Sequence, residues 1–178
     1  MQWLAPLAQV MRYERVMKHG SVVRMECEAP DPYDLLRGRY LAVRVKDDEI
    51  KGVSRDQAFA DGDKGFAILE ADDAGQAKPV QLVRARPTSG LYVEVSVQYV
   101  DHHPSDANTV SVRIRWPFDR LYLNENLAPA ADQWYRDNIR AEKPILADLR
   151  VLDGRAVLVD LLQDGKSFRQ LLGQPPSP

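Results

Sequence analysis

Apolar and polar residues alternate with a period of two along most of this chain. Val23, Met25 and Cys27 alternate with Arg24, Glu26 and Glu28, and Leu41, Val43 and Val45 alternate with Ala42, Arg44 and Lys46. That period puts one set of side chains on a buried face and the other in solvent, as in a half-buried strand. Segments 66–70 and 80–86 read as two further strands across a turn-rich 71–78. Residues 91–100 and 110–116 are β-branched and alternating, and they predict a hairpin around the polar loop 101–109, expected to be the longest pairing. Asp153-Gly154 divides 145–152 from 155–162. It is the residue pair that a type I′ two-residue turn takes.

A helical period is confined to a few places. Across 127–141, Pro129 suits a first turn and Ala131, Trp134, Tyr135 and Ile139 can share a face. Residues 167–172, closed by Gly173, predict one further short turn, and 32–36 another. At the N-terminus Trp3, Leu4, Leu7, Val10, Met11 and Met17 fall near helical spacing, with Gly20 as a stop. This predicts a helix over 1–20, either docked on the body or the trailing end of a longer apolar segment upstream. Residues 174–178 are a Pro-rich tail that can hold neither helix nor ladder, and they are expected to be disordered. The expected fold is α+β, mainly β, with antiparallel sheets, the N-terminal helix and one helix near 127–141. The sheets of the β-rich globular domain, 21–173, are arranged either as two small lobes, about 21–88 and 89–173, or as one sheet plus a hairpin.

Composition narrows the class without naming an activity. With 178 residues the chain is about one domain. Its 44% hydrophobic and 28% charged residues are those of an ordinary globular protein. Lys and Arg number 24 against 26 Asp and Glu, and neither half carries a basic excess. A dedicated nucleic-acid binder is therefore not expected. A single cysteine, Cys27, excludes an internal disulfide framework and a Cys-rich metal site. No motif implies a cofactor.

The candidate chemistry is sparse. Asp101, His102, His103 and Asp106 place two imidazoles and two carboxylates within six residues, all suitable metal donors. Adjacent histidines on a strand face opposite ways, and a hairpin tip collects polar residues for turn reasons. A solvated loop without metal is the expectation there, a metal site its rival. His19 sits at a helix end, where a cation helps the dipole. Ser54, Ser96, Ser111 and Ser167 lack a nucleophile elbow, and Ser54 with Lys51 is a chance pairing in a charged segment. Cys27 reads as a small buried hydrophobe. Asp61-Gly62-Asp63 reads as a turn rather than a calcium loop. Arg84 with Arg86, and Arg113 with Arg115, could form an anion-binding stripe if their strands are neighbours; the ordinary alternative is the wet face of a sheet.

The segment with the most internal logic is 29–45. Two prolines and two aspartates build a turn, Leu35 and Leu36 anchor it, and Gly38 lets the backbone enter the next strand. Arg37, Arg39 and Tyr40 are then displayed at the strand mouth. A second strand-like run, Leu121-Tyr122-Leu123, leads to Glu125. The two strand ends are expected to meet, with Glu125 accepting hydrogen bonds from Arg37 or Arg39 and Tyr40 packed beside them. The resulting ligand or structural cluster is Arg37, Gly38, Arg39, Tyr40, Tyr122 and Glu125.

Residues 32–45, PYDLLRGRYLAVRV, resemble the signature of the GDYXXLXY family, a bacterial family without an assigned activity. Segments 14–20, 119–125 and 151–159 resemble further stretches of it in order, so the likeness covers about 14–172. Gly38, Tyr40 and Glu125 match the family pattern. Arg39 replaces its aspartate, Val43 its leucine and Val45 its second tyrosine, so no role of that aspartate carries over. The resemblance implies a membrane-anchored protein with its domain on the periplasmic face of the bacterial inner membrane. A cytoplasmic location is the alternative. The function expected is a non-enzymatic extracytoplasmic binding or accessory domain with an unknown protein or small-molecule partner, associated with the membrane through an upstream anchor. The rival is a hydrolase or metal-dependent enzyme using His102 and His103, or an Arg37, Tyr40 and Glu125 site.

Overall fold

The computed structural model describes residues 4–28, 40–102, 108–123 and 128–171. The turn at 32–36 and the tail at 174–178 lie outside them. The elements in chain order are α1 (Leu4–His19), β1 (Ser21–Glu28), β2 (Tyr40–Ala42), β3 (Arg44–Val45), β4 (Glu49–Ser54), β5 (Lys64–Ala71) and β6 (Ala77–Val83). There follow β7 (Tyr92–Asp101), β8 (Thr109–Arg115), β9 (Arg120–Tyr122), α2 (Ala128–Arg140), β10 (Leu146–Leu152), β11 (Arg155–Gln163), β12 (Lys166–Ser167) and α3 (Phe168–Leu171). The fold is α+β and mainly antiparallel β.

One five-stranded sheet, in the order β12-β11-β10-β1-β3, joins the two ends of the chain. A second, in the order β4-β8-β7-β5-β6, is built from the middle, and it curls so that its edge strands β4 and β6 approach each other. Strands from either side of residue 88 share this second sheet, because β5 pairs with both β6 and β7. The two sheets therefore do not part at 88/89. A two-stranded ribbon, β2-β9, completes the set.

The alternation seen in sequence becomes a single core. Val23, Met25, Leu149 and Leu161 from the first sheet join Ile50, Val95, Val97 and Val112 from the second in one buried cluster. Tyr135 of α2 and Phe168 of α3 close one end and are fully buried. The Tyr135 hydroxyl donates to the Glu28 carbonyl at 2.9 Å, so its one polar atom is satisfied. At the β10–β11 turn both Asp153 (φ 51°) and Gly154 (φ 78°) have positive φ, as a type I′ turn requires. Gly154 is needed twice over: a Cβ there would come within 2.9 Å of the Tyr92 ring. Its carbonyl also accepts the Glu94 N–H at 2.8 Å, tying this hairpin to the second sheet.

Four features differ from the sequence reading. The longest ladder is β10–β11, from Leu152↔Arg155 to Leu146↔Leu162, and not β7–β8, which spans Ser96↔Arg115 to Asp101↔Ser111. A two-residue turn starts its ladder at once, whereas the chain leaves β8 at Trp116, so that residues 92–95 have no partner on β8 and pair with β5. The run 41–45 is two strands. Leu41, Val43 and Val45 remain buried, yet the ladder changes partner at Val43, whose N–H donates to Asp119 O at 2.8 Å. Strand β4 escapes a period-two reading because its buried residues, Ile50 and Val53, are three apart, with the pairing register shifted between them. Finally, among the described side chains of α1 Val16 is the buried one, while Val10, Met11 and Tyr13 are more than half exposed. The side chains of Trp3, Leu4 and Leu7 lie outside the described set.

Candidate functional site

Two of the predicted cluster residues are brought face to face. In the β2–β9 ribbon Tyr40 pairs with Tyr122, Leu41 with Leu121 and Ala42 with Arg120. Buried Leu41 and Leu121 pin the ribbon to the core, which turns the alternate residues outward. The Tyr40 and Tyr122 rings meet edge to face with centroids 6.2 Å apart. The Arg120 guanidinium lies 4.7 Å above the Tyr40 ring. Asp119 stands 3.5 Å from Arg120 and, with the Tyr40 and Tyr122 hydroxyls, pushes the proton affinity of that guanidinium still higher. Arg37, Gly38, Arg39 and Glu125 lie outside the described residues, and with them the expected arginine–glutamate pair.

Beside the ribbon a cleft of about 580 Å³ opens between it, β3 and the outer face of β8. Four guanidinium groups line it: Arg44 on β3, Arg113 and Arg115 on β8, and Arg120 on β9. Asp48 and Asp119 are its carboxylates, Gln98 and Tyr40 its neutral polar groups. Trp116 and Phe118, stacked at 5.8 Å, belong to the same wall, and the indole N–H donates to Asp47 O at 3.2 Å. Asp48 Oδ2 accepts from Arg44 at 3.1 Å while Oδ1 stands 3.8 Å from Arg113 Nε. Arg44 Nε also meets Glu28 at 2.6 Å. Among the described residues nothing pairs with the Arg115 side chain.

The other arginine doublet has been put to a different use. Arg84, just past β6, reaches Gln57 O, Ala58 O and Asp63 Oδ2, each at 2.5 Å, and covers the Phe59 ring at 4.8 Å. Arg86 donates to Tyr92 Oη at 3.2 Å and to Asp153 O at 2.9 Å. Strands β6 and β8 are not neighbours, so the two doublets form no common stripe. Arg86 instead helps line a second cleft, of about 720 Å³, with Arg12, Arg15, Arg155, Glu94 and Asp153.

The remaining candidates resolve into local structure. Asp61 Oδ1 accepts the Val100 N–H and Asp63 accepts the Ala60 N–H, so the Asp61-Gly62-Asp63 carboxylates are spent on the turn. The Ala60 N–H, then Arg84, holds the Asp63 carboxyl below its ordinary value. Ser54 caps a short 3₁₀ turn by accepting the Asp56 N–H at 3.2 Å. Burial pushes the Cys27 thiol up to about 12, which leaves it un-ionised and unreactive at neutral pH. Asp101 ends β7 half-buried, and His102, the next residue, is exposed; His103 and Asp106 lie outside the described residues.

The fold and the cleft define a β-rich domain with an arginine-lined groove. Among the described residues, no group of three or more His, Cys, Asp or Glu side chains is placed to hold a metal. The chain belongs to the GDYXXLXY family: the family described as GDYXXLXY protein matches residues 2–161. No curated protein and no solved structure matches it. The signature-like residues 40–45 supply β2 and β3, and five of them line the cleft. Arg44, Asp48, Gln98 and Arg120 went unnoticed as site residues in sequence. Each is an ordinary outward-facing or turn position whose neighbours come from distant parts of the chain.

Proposed function

We propose that this chain is the extracytoplasmic domain of a bacterial membrane-anchored protein, on the periplasmic face of the inner membrane. It acts as a binding or accessory module and holds its partner or ligand in the arginine-lined cleft. The observation that carries this reading is the convergence of the family signature and four guanidinium groups on one groove. Guanidinium groups stay protonated at any physiological pH, so they bind and orient negative charge but cannot take a proton from a substrate. The carboxylates of the cleft are already turned toward arginines, Asp48 to Arg44 and Arg113 and Asp119 to Arg120. Such a wall suits recognition better than acid–base chemistry. The anchor reading is supported by α1, whose residues 10–15 are all exposed, so that this stretch of the helix presents no buried face.

The test is a pair of reporter fusions to the C-terminus of the complete genomic chain. Active alkaline phosphatase together with a dark cytoplasmic fluorescent protein is the expected result. The opposite pattern overturns the location.

A further inference from the structure

We infer that the cleft recognises a carboxylate flanked by a hydrogen-bonding group, with Arg113 and Arg115 gripping the carboxylate between them. This rests on the reading of the cleft as a binding site. Arg113 and Arg115 are two residues apart on β8 and point to the same face, with Cα atoms about 7 Å apart. Arg113 has one ion-pair contact, at 3.8 Å, and Arg115 has none among the described residues. The preceding step of the same wall shows what such a pair holds. There the two oxygens of Asp48 are divided between Arg44 and Arg113. A ligand carboxylate between Arg113 and Arg115 repeats that arrangement one position further on, with the bidentate geometry that guanidinium groups favour.

Charge and shape narrow the class. Four guanidinium groups face Asp48 and Asp119, and Glu28 pairs with Arg44 from outside the cleft, leaving one positive charge for a ligand. One singly charged carboxylate matches this surplus, whereas a phosphate dianion exceeds it and concentrates its charge near Asp48 and Asp119. Gln98 supplies the neighbouring contact. The register of β7 against β8 shifts between Val97 and Tyr99, a bulge that lets Gln98 line the cleft beside the two arginines. Its amide both donates and accepts, so it pairs with an amide or hydroxyl next to the ligand carboxylate.

Titration followed by the backbone amide resonances of 113–116 tests this with acetyl-glycyl-glycine and glucuronate, against acetyl-glycyl-glycinamide and inorganic phosphate. We expect millimolar binding of the carboxylates and none of the amide. Of the two carboxylate probes, the tighter names the source, a peptide end or a sugar acid. Arg115→Gln and, independently, Arg113→Gln should each weaken binding at least tenfold with the thermal midpoint unchanged. Arg155→Gln, in the second cleft, should leave it as it is. No binding by either carboxylate overturns the inference while leaving the reporter-fusion result standing. Tighter binding of phosphate keeps the cleft as a site but overturns the carboxylate. Carboxylate binding that survives both β8 variants moves the site elsewhere and takes the cleft reading with it.

Discussion

The two clefts of this molecule carry the same inventory, four arginines and two carboxylates, yet they are built in different ways. In the first, all four arginines stand on strands: Arg44 on β3, Arg113 and Arg115 on β8, Arg120 on β9. Their backbones are fixed by ladders and by the buried residues that alternate with them. In the second, Arg12 and Arg15 come from the stretch of α1 whose side chains are all exposed, and Arg86 is occupied with Tyr92 and Asp153. Arg15 itself only approaches Asp153, at 3.9 Å. The second cleft is the larger, so neither volume nor charge count marks the better site. What separates them is preorganisation. A ligand entering the first cleft meets four cations carried on fixed strands, whereas in the second it must order the two carried by the exposed stretch of α1 and lose part of the binding energy in doing so.

The largest expected effect comes from dismantling the wall of the first cleft. Trp116 is 7% exposed, and its ring stacks on Phe118. Trp116→Ala should cost about 3–5 kcal/mol in urea unfolding, the scale for a buried aromatic. Tyr13→Ala beside the second cleft, on the exposed stretch of α1, should stay within about 0.5 kcal/mol. Similar costs at the two positions would mean that α1 is held as firmly as β8, and the contrast would fail.

A second effect belongs to the sheet that supports the β10–β11 hairpin. On its outer face Asp148 stands 3.8 Å from Arg24 and 3.6 Å from Arg150. Burial raises its carboxyl above the ordinary 3.8, Arg150 and Arg24 work against that, and Asp160 across the ladder adds to it. The folded protein therefore binds this proton more tightly than the unfolded chain does. Stability falls as pH rises through the window that opens at 3.8 and ends at the raised value. Asp148→Asn removes that fall. Urea midpoints across this window should slope less for the variant than for the wild type, and equal slopes would refute the assignment.

The smallest effect sharpens the cleft comparison directly. Asp48→Asn frees Arg113 from its internal carboxylate and should tighten carboxylate binding roughly threefold, the scale of one partly exposed ion pair. Glu94→Gln in the second cleft should change nothing at the first. A loss of affinity in Asp48→Asn would mean that Asp48 positions Arg113 rather than competing for it.

Much of the fold was legible because burial on one face of a strand leaves a period of two. Val23, Met25 and Cys27, or Leu149 and Val151, announce their face without knowledge of any partner. The Asp153-Gly154 turn was equally plain, since positive φ at two successive positions restricts residue choice locally. Strand β4 was hidden because Ile50 and Val53 break that period at a register shift, and the split at Val43 because a change of ladder partner leaves the alternation untouched. Two short strand-like runs led to the expectation that their ends meet through Glu125 and Arg37 or Arg39, but neither the Tyr40–Tyr122 pairing nor the cleft beside it was foreseen. Arg44, Gln98, Arg113 and Arg120 are each consistent with a wet sheet face. Local chemistry thus determined most of the strands, the Asp153-Gly154 turn and much of the core. Which outward-facing arginines would share a groove was decided only by tertiary structure, because their separation depends on sheet order and curl, to which no single stretch of sequence refers.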